Sequence, residues 1–187
     1  MATVRITGAE SVGRLAVRVE GADAKLLAQT LNRFMAPTVT TVRRELATYT
    51  GAGYGRVSQV VTPRKASATV LTFQVDAKDG WMSLKEFKPR EVRSGTSASP
   101  WAKRRLFTGA FMMGGRIGNR VPIPSLGGHV FVRAGKGRLP LHKLFGPNLA
   151  REMVRHDGAP LIAWQQDIGT LGPRIMREVK RRLEAGV

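Results

Sequence analysis

The sequence contains no cysteine, and this absence excludes disulfide bonds, thiolate metal sites and cysteine nucleophiles. Only 6% of its 187 residues are aromatic, so aliphatic side chains and methionine must fill the core. No apolar run approaches the ~20 residues that a membrane-spanning helix needs. The first ten residues include Arg5 and Glu10 and no apolar segment, unlike a signal peptide. We therefore expect a soluble cytosolic protein with no membrane partner.

Acidic residues are scarce. The chain has 13 Asp and Glu residues against 31 Lys and Arg residues, which gives a formal net charge of +18. None lies between Glu91 and Glu152. That interval holds these cations: Arg93, Lys103, Arg104, Arg105, Arg116, Arg120, Arg133, Lys136, Arg138, Lys143 and Arg151. A field of one sign predicts a surface that faces a negative partner, either nucleic acid or an acidic protein ring. A basic chain neutralised by its subunit neighbours is the alternative.

Recognisable catalytic motifs are also missing. The three histidines, His129, His142 and His156, do not pair with each other or with a carboxylate at metal-ligand spacing. There is no nucleophile elbow, Walker loop or paired-carboxylate pattern. Gly135-Lys136-Gly137 lacks the spacing of a phosphate-binding loop, which favours a hairpin turn. We expect no catalytic residue, no metal and no cofactor, and hence no enzymatic activity.

The N-terminal part predicts strands followed by a long helix. Alternating residues within 1–22 favour a strand or arm, with a hairpin through residues 8–13. A single α+β domain is expected over residues 23–187. An apolar seam at helical spacing predicts a helix over about residues 24–49 that ends at Gly51. Pro37 is expected to bend or break this helix, since its ring removes one backbone hydrogen bond.

The middle of the chain predicts one antiparallel sheet over residues 68–141. Residues 68–77 alternate as a strand, and Asp79-Gly80 favours a hairpin with a return strand over 81–92. Residues 107–113 and 129–133 are further strand candidates. The long glycine- and proline-rich segment 114–128 exceeds the ~2–5 residues of ordinary hairpin loops, and we expect it to become ordered against a neighbouring protein.

The C-terminal part predicts helices that begin at prolines. Gly146-Pro147 is expected to open a short helix, and Gly172-Pro173 the last one, because proline suits the first helical position. The last helix carries an apolar stripe that predicts core packing or a subunit interface. The sequence thus predicts the α+β class, with helices placed before and after the strands.

Several segments together resemble the phage minor tail protein Z family, the tail-completion proteins of lambda-like phages. The main similarity lies in the motif VFVR, followed by a short glycine and lysine turn, then RLPL and LFGPNL. Upstream, LNRFM and VRRELATYTG resemble the family's first helix, KASATVLTFQV its first sheet strand, and SPWAKRRLFTGAFM the segment before its next strand. The matching segments span about residues 26–156.

The resemblance implies a structural virion protein, present in the host cytoplasm during assembly. It implies a ring, with sixfold symmetry expected, at the head-proximal end of the tail. Its partners would be the tail terminator and the neck or head-completion proteins, and it would help to position the DNA end. A basic protein that binds nucleic-acid phosphates non-specifically is the alternative, and it predicts affinity that falls steeply with salt.

Two groups of residues are candidates for contacts. Subunit or partner contacts are expected at Arg133, Lys136, Arg138, Leu139, Leu141, Leu144, Phe145, Ile175, Met176, Val179 and Leu183. Contacts with DNA or an acidic partner are expected at Arg56, Arg64, Lys65, Lys103, Arg104, Arg105, Arg116 and Arg120.

Overall fold

The computed structural model describes residues 2–7, 11–17, 24–78, 80–115, 119–155 and 157–184. Within them the fold is α+β, as the sequence predicts, with long helices and small antiparallel sheets. The chain packs as two compact units, and each is described separately. Unit 1 draws on residues 1–46, 54–79 and 149–187, and unit 2 on 47–53 and 80–148. The prediction of a terminal arm followed by a single domain stays a prediction.

Unit 1 contains one four-stranded antiparallel sheet. Its strands are β1 (Ala2–Thr7), β2 (Ser11–Val17), β3 (Val61–Arg64) and β4 (Thr72–Ala77), in the order β1-β2-β4-β3. The predicted N-terminal pair of strands is confirmed by the pairing of β1 with β2. The predicted hairpin at Asp79-Gly80 is wrong, because β4 pairs with β2 and β3. The turn signal is local, whereas distant segments decided the pairing.

The first helix, α1 (Ala24–Thr50), runs without interruption past Pro37. The side-chain hydroxyls of Thr40 and Thr41 each donate to a carbonyl four residues earlier, at 3.3 Å. Because the helix is continuous, a break at Pro37 is wrong, whereas the predicted bend stays a prediction. The predicted end is confirmed, since Gly51 has a φ of +73°, in the left-handed region that glycine adopts at helix ends.

Three more helices complete unit 1: α2 (Tyr54–Val60), α3 (Leu149–Met153) and α4 (Ala159–Glu184). The prediction that the last helix begins at Gly172 is wrong, because α4 starts thirteen positions earlier and includes Pro173. One buried stripe at helical spacing runs from the first turn of this helix past Pro173: Leu161, Trp164, Ile168, Leu171, Ile175 and Val179. Burying this stripe outweighs the cost of an interior proline, which is about 3 kcal/mol.

Side chains of α1 also hold the neighbouring backbone of unit 1. The amide of Asn32 donates to the carbonyl of Ala66 at 2.9 Å, and its oxygen accepts from the Ala66 N–H at 2.8 Å. Arg43 donates to the carbonyl of Val61 through both Nε and Nη2, at 3.1 and 2.6 Å. Arg43 therefore holds the backbone at the start of β3 and is more than a solvated charge on α1.

Unit 2 consists of short strands in four small antiparallel sheets. The strands are β5 (Trp81–Ser83), β6 (Arg90–Val92), β7 (Gly95–Ala98), β8 (Arg105–Thr108), β9 (Met113–Gly114), β10 (Val121–Pro122), β11 (Phe131–Arg133), β12 (Leu141–Lys143) and β13 (Phe145–Asn148). The sheets are β6-β7-β8, β9-β10, β11-β12 and β5-β13. The prediction of one continuous sheet over residues 68–141 is therefore wrong.

Glycines explain two of these differences. Gly109, with a φ of +71°, separates β8 from Phe111, which forms an isolated bridge with Phe131. The predicted strand over 107–113 is thus divided. Gly146 lies in β13 rather than opening a helix, and a Cβ there would stand 2.6 Å from Cε2 of Phe87. The close approach of backbone to ring keeps the Gly-Pro pair extended, and the helix begins at Leu149 instead.

Part of the predicted long loop is structured by this chain itself. Its described residues include β10 and a 3-10 turn over Pro124–Leu126. Residues 116–118 lie outside the described part. The expected ordering against a neighbouring protein stays a prediction.

Candidate partner-binding cleft

Positive charge is concentrated in unit 2. Its 76 residues hold thirteen of the Lys and Arg residues but only two acids, Glu86 and Glu91. The carboxylate of Glu91 is buried and lies 2.8 Å from Nη1 of Arg120. Its Oε2 accepts from the backbone N–H groups of Met112 and Met113, at 3.2 and 3.0 Å. Glu86 is therefore the only exposed acid of this unit.

A cleft in unit 2 has a volume of about 730 Å³, within the usual range of ligand sites. Among the described residues, four arginines line it: Arg93, Arg120, Arg133 and Arg138. Half-buried apolar side chains supply much of the remaining lining: Phe111, Met113, Ile123, Leu126 and Leu141. Leu139 adds an apolar side chain that is 72% exposed. Its lining thus combines apolar area with cationic groups.

Local backbone structure places these arginines. Arg133 ends β11 opposite Leu141 of β12, and Arg138 lies in the connection between the two strands. The Arg133 guanidinium donates to the carbonyl of Arg138 at 2.5 Å and lies 5.2 Å from the ring centroid of Phe111. Arg93 follows β6 in the turn that leads to β7. One hairpin and one turn therefore bring three guanidinium groups to the cleft.

These arginines differ in how their charge is compensated. Arg120 is paired with Glu91 and also donates to the carbonyl of Met113 at 3.1 Å. Within the part of the chain that the structure describes, Arg93, Arg133 and Arg138 have no carboxylate partner. Three uncompensated charges around one concavity favour an anionic ligand.

The adjacent basic run, Lys103 to Arg105, behaves differently from what its sequence suggests. Arg104 donates to Oγ of Ser97 at 2.8 Å and to the carbonyl of Lys88 at 3.3 Å. The Arg105 guanidinium lies 5.8 Å from the ring centroid of Trp101. All three side chains are exposed, but that of Arg104 is held by hydrogen bonds to Ser97 and Lys88.

The remaining predicted nucleic-acid contacts are not brought together. Arg56 lies exposed on α2, and Arg64 at the end of β3 pairs with the buried Asp76, so both belong to unit 1 together with the exposed Lys65. Arg116 lies outside the described residues. Of the described members of this predicted group, only Arg120 lines the cleft.

The predicted subunit contacts divide in the same way. Ile175 and Val179 are buried inside unit 1 and so are not available as a surface, whereas Met176 is 48% exposed. The Leu183 side chain lies outside the described part. Leu144 is half-buried.

Two further predicted contacts remain at the surface of unit 2. Phe145 is exposed, with Lys143 5.4 Å from its ring centroid. Lys136 is exposed in the β11–β12 turn, outside the lining of the cleft.

A serine, a histidine and a lysine meet in unit 2, an arrangement that the sequence analysis missed. Nδ1 of His129 lies 2.8 Å from Oγ of Ser83, and Nε2 lies 3.3 Å from Nζ of Lys143. Burial, and then the charges of Lys143 and Lys85, lower the pKa of His129. A neutral His129 that accepts from Lys143 carries its proton on Nδ1 and donates to Ser83. It therefore does not act as a base toward that serine.

Unit 1 has a smaller cavity of about 510 Å³ between α1 and α4, where charges of both signs compensate each other. Glu178 accepts from Arg181 and Arg182 at 2.9 Å each, and Arg33 lies 4.0 Å away. These hydrogen bonds lower the pKa of Glu178 to about 2. The cavity is a weaker candidate for an anion than the cleft, because its own carboxylates include Glu178 and Asp167.

Among the described residues, no group of three or more His, Asp or Glu side chains is placed to hold a metal. No helix in the described ranges is long and apolar enough to cross a membrane. Comparisons with protein families, with curated proteins and with solved structures found no match.

Sequence reasoning identified the cleft only in part. Arg120, Arg133, Arg138, Leu139 and Leu141 were candidates, but the apolar residues Phe111 and Ile123 were not. Arg93 was noted only as one of the charges of the acid-free interval. The excess of positive charge was the one sequence signal that indicated this region. No sequence pattern predicts that Arg93 lies near a hairpin some forty residues later.

Proposed function

We propose that this protein is a structural virion component, a tail-completion or minor tail protein at the head-proximal end of a phage tail. It forms an oligomeric ring, expected to be hexameric, that joins the tail terminator to the neck and helps to position the DNA end. It belongs to the virion tail or neck and passes through the host cytoplasm during assembly. It performs no catalysis and needs no cofactor.

The observation that carries this proposal is the cationic surface of unit 2, where a single exposed acid accompanies thirteen Lys and Arg residues. A surface of one sign favours a negatively charged neighbour, because its own side chains leave the field uncompensated. The segment from β11 to α3, which includes the cleft residues Arg133 and Arg138, is also the segment that resembles the protein Z family. Charge and resemblance thus point to the same region.

Exposed apolar residues support assembly into a ring. Unit 2 exposes Leu106, Leu139 and Phe145, each about half or more, and unit 1 exposes Met176. A ring requires two different patches on each subunit that meet head to tail. Apolar contacts of this kind are not weakened by salt, unlike ion pairs between exposed charges.

The test of the ring is the mass of the purified full chain in solution. Native mass spectrometry and light scattering, at low salt and at about 1 M salt, should give a closed oligomer with an integral number of subunits. Electron microscopy should show rings of the same stoichiometry. A monomer at every protein concentration, alone and with tail terminator added, would contradict the proposal.

A non-specific nucleic-acid-binding protein is the second candidate. The exposed Lys103 and Arg105, with Arg105 beside the indole of Trp101, are the observation that favours it. Affinity for duplex DNA would then fall with rising salt, with a slope of about −0.9 for each phosphate contacted. The double variant Lys103→Gln/Arg105→Gln should reduce that slope by about two. An unchanged slope would exclude this patch as the binding site.

A further inference from the structure

We propose that the cleft of unit 2 binds an extended segment of a partner protein in which acidic residues alternate with apolar ones. The inference deepens the proposed function and rests on it in one respect, since the acidic neighbour would be another component of the tail or neck. Within the assembly, this would make the cleft the specific docking point on an otherwise diffusely basic surface.

The charges of the cleft define one half of the ligand. Arg93, Arg133 and Arg138 line the same concavity, and none has a carboxylate partner among the described residues. Guanidinium groups bind carboxylates and phosphates through paired N–H donors. The ligand must therefore supply anionic oxygens.

The apolar lining defines the other half and separates a protein segment from nucleic acid. Phe111, Met113 and Ile123 are half-buried in the cleft, and Leu139 stands exposed beside them. A sugar-phosphate backbone would leave this area without apolar contacts. A base could use it only by stacking on an aromatic face, but the face of Phe111 already carries the guanidinium of Arg133 at 5.2 Å.

An extended peptide fits both halves. Successive side chains of a strand point to opposite sides, so alternating residues separate acidic from apolar groups. The apolar groups would then contact the apolar lining, while the carboxylates reach the arginines. The cleft volume of about 730 Å³ is sufficient for several such side chains.

The test uses the full-length protein and three fluorescent probes. The first is a peptide of about eight residues that alternates glutamate and leucine, long enough to lie as one strand. The second replaces every leucine with serine, and the third is a single-stranded DNA of equal charge. Fluorescence anisotropy at about 0.15 M salt should show binding of the first probe at least about tenfold tighter than that of either other probe.

Two double variants with the same loss of charge locate the binding. Arg93→Gln/Arg138→Gln removes two exposed cleft arginines and should weaken the first probe by about tenfold or more. The control, Lys88→Gln/Arg90→Gln, removes two exposed charges outside the cleft lining and should change the affinity less than about twofold. Circular dichroism of both variants establishes that they are folded.

Three results would contradict the assignment of the cleft. If the serine peptide binds as tightly as the leucine peptide, the apolar lining has no role in binding. If DNA binds more tightly, through Arg93 and Arg138, the cleft is a nucleic-acid site. Either result overturns the proposal. Equal effects of the two double variants would also overturn it. Ring formation is measured separately by mass, so a monomer that binds the first probe through the cleft would contradict the proposed ring and leave the cleft assignment intact.

Discussion

The carboxylate of Glu178 accepts hydrogen bonds from Arg181 and Arg182 on the same helix, with Arg33 of α1 at 4.0 Å. In a chain with 31 cations and 13 acids, such a residue is shared among several arginines. The hydrogen bond from Arg181 contributes most to its lowered pKa, followed by that from Arg182. The same bond raises the pKa of Arg181.

Glu178→Gln should therefore destabilise the protein at neutral pH and have progressively less effect in acid. The pKa of Glu178 is about 2 in the folded protein and 4.5 in its ordinary state. Its contribution is thus complete above pH 4.5 and is lost as the pH falls through about 2. Urea unfolding of both proteins between pH 7 and pH 2 measures the difference.

The control for this experiment is Glu184→Gln, at the exposed end of the same helix, where one lysine lies 3.8 Å away. An exposed pair of this kind contributes little. A Glu178→Gln variant whose stability differs from wild type by the same amount at every pH would contradict the assignment.

Gly51→Ala should destabilise the protein by about 2 kcal/mol or more, because the left-handed backbone conformation is unfavourable for alanine. Its Cβ would also stand 2.8 Å from the Ala102 nitrogen and 2.9 Å from the Ser99 oxygen, both in the backbone. The midpoint of urea denaturation measures the effect. Gly53→Ala is the matched control, since nothing lies within 4 Å of a Cβ there. Equal midpoints for the two variants would show that Gly51 is not constrained.

Residue patterns predicted Gly51 as a helix end but misjudged residues with distant partners. A helix stop depends on the conformation of one residue and is visible in sequence. The role of Arg43 depends on the carbonyl of Val61, eighteen positions away, and that of Arg104 on Ser97. In the sequence both arginines look like surface charges, because the groups that they bind come close to them only when the chain folds.

At the scale of elements, helix α4 shows that burial can outweigh a local breaker. Its apolar stripe extends from Leu161 to Val179 and is buried along its length. Pro173 lies inside the helix and is exposed. Proline there cannot donate a backbone hydrogen bond to the residue four positions earlier.

Pro173→Ala should therefore stabilise the protein by about 1–2 kcal/mol. Alanine restores the missing hydrogen-bond donor, and the larger conformational entropy of its unfolded chain offsets part of the gain. Thermal unfolding followed by circular dichroism measures the gain. Pro160→Ala is the control in the same helix, since proline is tolerated in a first turn, and it should give no gain. A Pro173→Ala variant less stable than wild type would contradict a helix α4 that continues through position 173.

Strand pairing was the least predictable element property. The segment around residues 72–77 was correctly predicted as a strand, because its alternation is local. Its partners, β2 and β3, were not, and β5 pairs with β13 more than sixty residues away. Turn residues such as Asp79-Gly80 favour a hairpin, but β4 pairs with β2 and β3 instead.

For the whole molecule, the net charge of +18 is the dominant feature. Repulsion among like charges destabilises a compact state, and salt screens it. The two units share this charge unequally, since unit 2 has thirteen cations against two acids. We therefore expect the stability of the folded chain to depend on ionic strength.

The melting temperature should accordingly rise by several degrees between low salt and about 0.3 M salt. Differential scanning fluorimetry measures it in sodium chloride and in a matched series of a second neutral salt. Lys103→Glu/Lys136→Glu lowers the net charge from +18 to +14, because each exchange removes two positive charges, and should reduce the rise. A melting temperature that falls with salt would show that attractive ion pairs dominate.

The sequence alone determined the α+β class, the absence of thiol chemistry, the excess of positive charge and the end of the first helix. These properties follow from composition and from patterns within a few residues, where the conformational preference of each residue acts directly. Only the tertiary structure decided which strands pair, that α4 continues through Pro173, and that Arg93 shares a cleft with Arg133 and Arg138. Those outcomes depend on which distant surfaces bury each other, and local preferences of one or two kcal/mol yield to that burial.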